Sequence, residues 1–334
     1  MVTARPAPSR ATSATPRFIS RPGPSAISAG SAMAAAATAS RRLRGDTASF
    51  TAALRSLVNN PQFSDVKFIV GKEKQEICAH RCVLAARCSM FHAMFKQPVQ
   101  SPDASQDQEP AQVSIILGDV EPEVFLPLIE FLYTNSVTLN SLIALEVLTS
   151  SVEYGLNDLR KLCVEFIKET LTAEQACEAL QAAVIYRQGD MKNHCLAFIE
   201  SHTQEVIRTR SFRELSAPAL LCVLQSDRLT VDEVQLIRAV REWAHVNSVV
   251  LDIPVLQIAA DIVGEIRLFL LSPDELTTLE KENRKDQFIP VERIAEAWKF
   301  HALKKGSRVQ SHLFRRRKGT HPRDHHRYLG LHYK

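Results

Sequence analysis

The sequence predicts an α+β fold, in which a small sheet wrapped by helices is followed by a purely helical region. Two runs indicate the sheet, because apolar residues occupy every second position at 66–70 and again at 113–117, the period of a strand with one buried face. Helices are indicated from residue 142 to residue 301, where apolar side chains recur every three or four positions.

A short helix from Phe50 precedes the sheet region, and the sequence at 59–61, Asn-Asn-Pro, ends it. Pro122 stands where a first-turn proline is tolerated, because that position needs no backbone N–H. The other elements of this region are predicted in the order strand 66–70, strand 76–80, helix 84–95, strand 113–117 and helix 122–132.

Three sequence words in this region resemble the BTB/POZ domain, a protein–protein interaction module. They are SDVKFIV at 64–70, AHRCVLAARCSMFHAMF at 79–95 and DVEPEVFLPLIEFLYT at 119–134, which occur in the order and at the spacing of that family. The resemblance covers residues 50–171. It implies a small sheet wrapped by helices, and it implies a structural role for His80.

The helical region resembles the BACK domain. The matching words are LTAEQACEALQAAVIYRQGDMKNHCLAFIESHTQEVI at 171–207, VDEVQLIRAVREWAHVN at 231–247 and EIRLFLLSPDELTTLE at 265–280. Many relatives continue into a propeller of repeats of about fifty residues, and no such repeat is found here. A recruited substrate is therefore expected to bind the helical region, a loop, a tail or a partner protein.

These resemblances divide the chain into four predicted parts. Residues 1–49 form an N-terminal tail, 50–171 a BTB/POZ domain, 172–303 a BACK-like helical domain and 304–334 a basic C-terminal tail. Residues 97–112 contain three prolines and no periodic apolar residues, which predicts a long loop. That loop is either functional or a tolerated insertion.

The charge is distributed unevenly along the chain. Residues 1–45 carry seven Arg and no acidic residue, and 304–334 carry ten Lys plus Arg against one Asp. The 24 basic and 36 acidic residues that remain give 46–303 a net charge of −12. Because domains that bind nucleic acid usually present a basic face, this acidic body disfavours nucleic-acid binding.

The lengths of the apolar runs and the positions of the cysteines indicate where in the cell the protein is expected. No run of eighteen apolar residues occurs, so no membrane span is expected. The seven cysteines lie within apolar helix and strand patterns, which suits reduced thiols in the cytoplasm, with the nucleus as a further possible compartment.

Both tails are predicted to be disordered and dispensable for folding, because they offer too little apolar surface to offset the conformational entropy of ordering. An alternative for 1–49 is an organelle transit peptide, which its Arg-rich and acid-poor composition would suit and its prolines oppose. The basic run at 315–318 either contacts the nuclear-import machinery or an anionic surface, or it is a solvated segment.

No catalytic, cofactor-binding or metal site is predicted, and the chain is interpreted as a non-enzyme. It has no Gly-rich phosphate loop and no nucleophile elbow. Two clusters of potential ligands lack the spacing or the core that would orient a site, and are read as structural or solvated. They comprise Cys78, His80, Cys82, Cys88 and His92, and in the tail His321, Asp324, His325 and His326.

The BTB/POZ resemblance also implies a homodimer. In that family the helix before the first strand packs against a second subunit, which makes Phe50, Leu54 and Leu57 the expected dimer interface. The alternative is that this helix docks only on its own domain.

The same resemblance implies a substrate-recruiting adaptor for a cullin-3-type ubiquitin ligase, with an unknown protein substrate. Phe125, Leu126 and Tyr133 match contact positions of the family pattern. The family motif is a hydrophobic residue, any residue and a glutamate, but here Pro127 takes the place of the glutamate. The alternative is therefore a BTB scaffold that assembles partners without cullin.

Overall fold

A three-stranded sheet lies near the start of the chain as the computed structural model describes it, which is over residues 44–96, 113–304 and 311–332. The strands are β1 (Val66–Val70), β2 (Gln75–Ala79) and β3 (Val113–Leu117), in the order β2-β1-β3. β1 pairs antiparallel with β2 and parallel with β3. The inward residues of β1, at every second position, are fully buried, as the period-2 pattern predicts.

Within the described residues up to 170, six helices accompany the sheet. They are α1 (Thr47–Arg55), α2 (Arg81–Arg87), α3 (Ser89–Lys96), α4 (Pro122–Thr134), α5 (Ala144–Glu153) and α6 (Asn157–Thr170). The core between them and the sheet is aromatic at its centre, where the Phe68 ring meets Phe91 at 5.6 Å and Phe125 at 5.1 Å between centroids. Both pairs are edge-on, the geometry that aromatic rings favour.

The rest of the described chain is helical. Its helices are α7 (Ala176–Ile185), α8 (Gly189–Ser201), α9 (Thr203–Val206), α10 (Arg210–Arg213), α11 (Ala217–Leu224), α12 (Glu233–Leu251), α13 (Val255–Ala259), α14 (Pro273–Asp286) and α15 (Val291–Leu303). Side chains that accept hydrogen bonds from free backbone N–H groups fix the starts of α12 and α14. Asp232 caps α12, and Ser272 forms a capping box with Glu275 at the start of α14.

The predicted fold class is confirmed in its sheet and helices. The helix expected from Phe50 begins at Thr47, and the strand expected at 76–80 spans Gln75–Ala79. Among the described residues, no helix is both long and apolar enough to cross a membrane. Predictions for residues 1–43, for the loop 97–112 and for 305–310 lie outside the described part of the chain.

The predicted disorder of the C-terminal tail is wrong for residues 311–332. Two 3₁₀ helices form there, at Ser311–Phe314 and Asp324–His332. Leu313, Phe314 and Leu329 are buried, and the Phe314 ring stacks on Phe269 with 4.4 Å between centroids. Composition misled the prediction, because a few apolar residues anchor this segment and its basic residues have acidic partners in the helical region.

Candidate protein-interaction surfaces

Helix α1 is packed on the sheet region along one side only. None of its residues is buried, and Phe50 exposes 64% of its surface. Leu54 and Leu57 are half-buried against the core of their own domain. Arg55 fixes the orientation of α1, because it pairs with Glu130 of α4 at 2.8 Å. The structure thus packs Leu54 and Leu57 partly against their own domain and leaves Phe50 exposed.

Two of the three predicted cullin contacts on α4 lie in the core. Phe125 is fully buried, and Tyr133 exposes only 4% of its surface. The backbone N–H of His80 donates to the Tyr133 hydroxyl at 2.8 Å, and that hydroxyl lies 2.9 Å from His80 Nδ1. Burial raises the pKa of Tyr133 to about 12. This corrects their predicted place on a contact surface, while Leu126 remains half-exposed.

The accessible side of α4 carries Glu123, Leu126, Pro127 and Glu130. Pro127 lies inside the helix, where it cannot donate to the carbonyl four residues earlier. The carboxylate that the family motif requires is therefore missing from the middle of this side. The nearest acidic groups are Glu123, one turn earlier, and Glu130, which is engaged by Arg55.

Three cysteine side chains are buried in helices α6, α7 and α8. Burial raises the pKa values of Cys163, Cys177 and Cys195 to about 12, so these groups stay protonated thiols. Within 44–96, 113–304 and 311–332, no three His, Cys, Asp or Glu side chains are grouped as metal ligands. His80 hydrogen bonds to Tyr133 and to the Gln62 carbonyl, a structural arrangement.

A buried ion pair attaches the C-terminal segment 313–329, here called the C-terminal clamp, to the helical region. The Arg317 side chain is fully buried, and its Nε donates to Glu233 at 3.0 Å. Its Nη1 donates to the carbonyls of Leu224 at 2.5 Å and Ser226 at 2.6 Å, and its Nη2 to that of Glu265 at 3.1 Å. All three guanidinium nitrogens therefore have acceptors, which a buried cation requires.

Arg323 makes a second attachment through two forked carboxylate contacts. Its nitrogens lie 2.8 and 3.1 Å from the Asp232 oxygens and 2.6 and 2.9 Å from those of Glu275. Burial alone would raise the pKa values of both carboxyls. Hydrogen bonds from Arg323 and from backbone N–H groups, together with its charge, hold both pKa values below their usual range. The start of α12, through its cap Asp232, and the first turn of α14, through Glu275, are thus tied to the clamp.

Between these arginines the clamp runs directly against the backbone before α12. The N–H of Lys318 donates to the Asp227 carbonyl, and that of Gly319 to the Leu229 carbonyl, both at 2.9 Å. A Cβ atom at Gly319 would lie 2.1 Å from the Val231 nitrogen. Glycine is required here because two segments of the backbone approach each other closely. This residue was not predicted from the sequence, although a glycine directly after the basic run 315–318 was the available signal.

Three histidines, His325 and His326 of the clamp and His301 of α15, meet at the short 3₁₀ helix Leu268–Leu270 and the residue after it. This corrects the prediction that His325 and His326 are solvated. Their Nε2 atoms lie 2.9 to 3.0 Å from successive carbonyls: His325 on Phe269, His326 on Leu270 and His301 on Leu271. A carbonyl only accepts, so each Nε2 carries the proton. Burial lowers the pKa of all three, that of His325 to about 4.

We expect acid to loosen this junction. Because the folded state holds these rings neutral below the usual pKa of about 6.5, the unfolded state binds more protons, and stability falls as the pH decreases from about 6.5 towards 4. Allowing for solvent screening of half-buried groups, the thermal midpoint should drop by about 3 to 5 °C by pH 5. Scanning calorimetry measures it. Replacing His325 by Gln should reduce this drop, and replacing the exposed His92 by Gln should not.

Comparison with known proteins gives matches along most of the chain. Two family models match, "BTB/POZ domain" over residues 54–171 and "BTB And C-terminal Kelch" over 176–281. The chain is 55% identical over 293 residues to BTB/POZ domain-containing protein 19 of Bos taurus, covering 87% of this chain and 98% of the bovine protein. It is 54% identical to the Homo sapiens protein of the same name, with the same two coverages.

Among solved structures, the BTB domain of human gigaxonin is 19% identical, with a TM-score of 0.31, and covers 38% of this chain and 98% of that one. The two matched models lie side by side in the order predicted from the sequence words. The C-terminal clamp begins beyond the end of the second model, at residue 281.

Proposed function

The chain belongs to the BTB/POZ domain-containing proteins that also carry a BACK domain, and on that premise we propose that it is a homodimeric adaptor that recruits a protein substrate to a cullin-3-type ubiquitin ligase. Both matched domains are protein–protein interaction domains, and the proposed activity is binding, not catalysis. The observation that carries the proposal is the pair of open surfaces on one BTB domain: the unburied side of α1 and the accessible side of α4.

The dimer is supported by the exposure of Phe50, an aromatic side chain with 64% of its surface in solvent. Burying a Phe side chain contributes about 1.5 to 3 kcal/mol, and two copies of α1 would bury two of them. Leu54 and Leu57, which are half-buried, would complete the contact by covering their exposed sides.

We expect the full-length chain to be a dimer at tens of micromolar, and Phe50→Asp to make it monomeric, because an unpaired carboxylate in an apolar contact costs several kcal/mol. Size-exclusion chromatography with light scattering measures this. Val291→Asp is the matched control, since Val291 is 71% exposed on α15 and its replacement should leave the mass unchanged. A wild-type monomer at that concentration would disprove the dimer.

Cullin binding is proposed to use Leu126, the accessible member of the three predicted contacts. We expect the purified amino-terminal domain of cullin-3 to bind the full-length chain, and Leu126→Asp to weaken binding at least about tenfold, the effect of losing one apolar anchor. Calorimetric titration measures it, again with Val291→Asp as the control. If the unchanged chain binds cullin-3 and Leu126→Asp binds it with the same affinity, the contact lies elsewhere.

One observation favours a scaffold that does not bind cullin, namely the absence of a carboxylate at position 127. Pro127→Glu separates the two functions, because it supplies that carboxylate and also restores a helix N–H whose loss costs about 3 kcal/mol. If the unchanged chain does not bind cullin and the Pro127→Glu variant does, the protein is the scaffold. A chain that binds cullin with either residue is the adaptor.

A further inference from the structure

A basic cavity of about 840 Å³ opens on the outer side of the C-terminal clamp. Besides Arg315, which lies near Asp227, three exposed cations line it, Arg316, Lys318 and Arg327, all from a stretch of twelve residues. Thr320 and His326 form part of its wall. The cavity is distinct from the proposed surfaces on α1 and α4, because every one of these residues belongs to the clamp.

The positive charge of this cavity is not neutralised from within the described part of the chain. Its lining carboxylate, Asp227, is already paired with Arg267 at 2.6 Å and lies 3.7 Å from Arg315, and the Arg317 guanidinium pairs with Glu233. Among the described residues, no carboxylate lies within 4.0 Å of the side-chain nitrogens of the three exposed cations. Such a concentration of charge is notable because residues 46–303 carry a net charge of −12.

Two polar atoms in the same wall are unsatisfied. The Thr320 hydroxyl and His326 Nδ1 are shielded from solvent and have no hydrogen-bond partner. The other ring nitrogen of His326 faces the Leu270 carbonyl at 2.9 Å, which fixes the ring with Nδ1 on the side away from that contact. Because buried polar groups in folded proteins are nearly always paired, these unpaired atoms beside three uncompensated cations indicate a missing ligand. Since Nε2 of His326 carries the proton, its Nδ1 only accepts, so such a ligand would offer an oxyanion to the Thr320 hydroxyl and an N–H to His326.

We propose that the basic cavity is a docking site for an acidic segment of a partner polypeptide, whose carboxylate or phosphoryl oxygens bind Arg316, Lys318 and Arg327. Guanidinium groups present forked donors that match both kinds of oxyanion, and the Lys318 ammonium adds a flexible third donor. Rotation of Thr320 about its Cα–Cβ bond, between staggered positions, turns the hydroxyl towards the bound oxyanion.

A peptide suits this site better than a nucleic acid. A nucleic acid presents charge along its whole length, and the acidic body on which the clamp lies would repel the part that extends beyond the cavity. A short acidic segment concentrates its charge where the cations are. This docking site goes beyond the proposed function, since it requires neither cullin binding nor dimerisation.

Fluorescence anisotropy with the full-length chain tests the proposal. The probes are three labelled peptides of one length, rich in Glu, in phosphoserine or in unmodified Ser, and a labelled RNA of equal charge. We expect one or both acidic peptides to bind and the Ser peptide not to bind. The two acidic probes distinguish the carboxylate from the phosphoryl group. Absence of binding by both at millimolar concentration, or tighter binding of the RNA, would overturn the proposal.

Variants locate the site. The double variant Arg316→Gln and Arg327→Gln should weaken peptide binding at least tenfold, since each removes a charge-assisted hydrogen bond. The control is Arg208→Gln with Lys72→Gln, two exposed cations outside the clamp, which should change affinity less than about twofold. Thr320→Val, which keeps shape and charge, should weaken binding several-fold. Unchanged affinity in Thr320→Val would reduce the result to general charge attraction and contradict a built site.

Discussion

Removal of residues 305–334 is expected to lower the free energy of unfolding by about 5 kcal/mol or more. Three apolar side chains of the clamp, Leu313, Phe314 and Leu329, are at most 5% exposed, and burial of each contributes about 1.5 to 3 kcal/mol. Their loss also uncovers Glu233, which is 1% exposed and would have to be hydrated where it now meets Arg317.

Urea unfolding followed by far-ultraviolet circular dichroism measures this difference. The matched control is removal of residues 1–43, whose Ala-, Ser- and Pro-rich composition predicts a change within about 1 kcal/mol. Equal midpoints for both truncated chains and the full-length chain would show that the clamp contributes nothing to stability.

Arg317→Ala is expected to destabilise the protein by about 3 to 5 kcal/mol, because it leaves the other member of a buried ion pair without its counter-charge. The Glu233 carboxylate would keep only the backbone N–H of Arg267, at 2.8 Å, and three carbonyls would lose their donor. The neighbouring Arg316→Ala is the matched control. It removes the same charge from an exposed position and should change stability by less than about 0.5 kcal/mol.

The double variant Arg317→Met with Glu233→Gln separates two contributions to this destabilisation: the loss of the ion-pair contact and the cost of an unpaired buried carboxylate. Removing both charges should recover part of the loss, because the uncompensated carboxylate is then gone. Urea midpoints of the unchanged chain, of the single variants Arg317→Met and Glu233→Gln and of the double variant complete the cycle. Equal destabilisation by Arg317→Ala and Arg316→Ala would mean that the buried pair does not hold the clamp.

The sheet region could be predicted because its signals are local. Strands β1 and β3 show their period within five residues each, and the three BTB words follow one another along the chain. The contact residues on α4 could not be sorted in the same way. That helix has eight buried residues among thirteen, so an apolar side chain such as Phe125 or Leu126 does not reveal which side faces the core.

The clamp escaped prediction for a different reason. Its arginines resemble solvated charges in the sequence, because their partners Asp232, Glu233 and Glu275 stand 48 to 91 residues earlier in the chain, where no periodic pattern connects them. The general signal was present in the opposite charges of the body and the C-terminal residues, but charge totals do not specify pairs.

The distance between these partners has a consequence for folding during synthesis. Arg317 follows Glu233 by 84 residues, and Arg323 follows Asp232 by 91. At about 5 to 20 residues per second, the ribosome adds the arginines roughly 4 to 18 seconds after the carboxylates. Throughout that interval the start of α12 carries two acidic groups without their cations, so they must remain hydrated. The nascent helical region therefore closes in a late step that depends on its most distant contacts, the kind that form slowly.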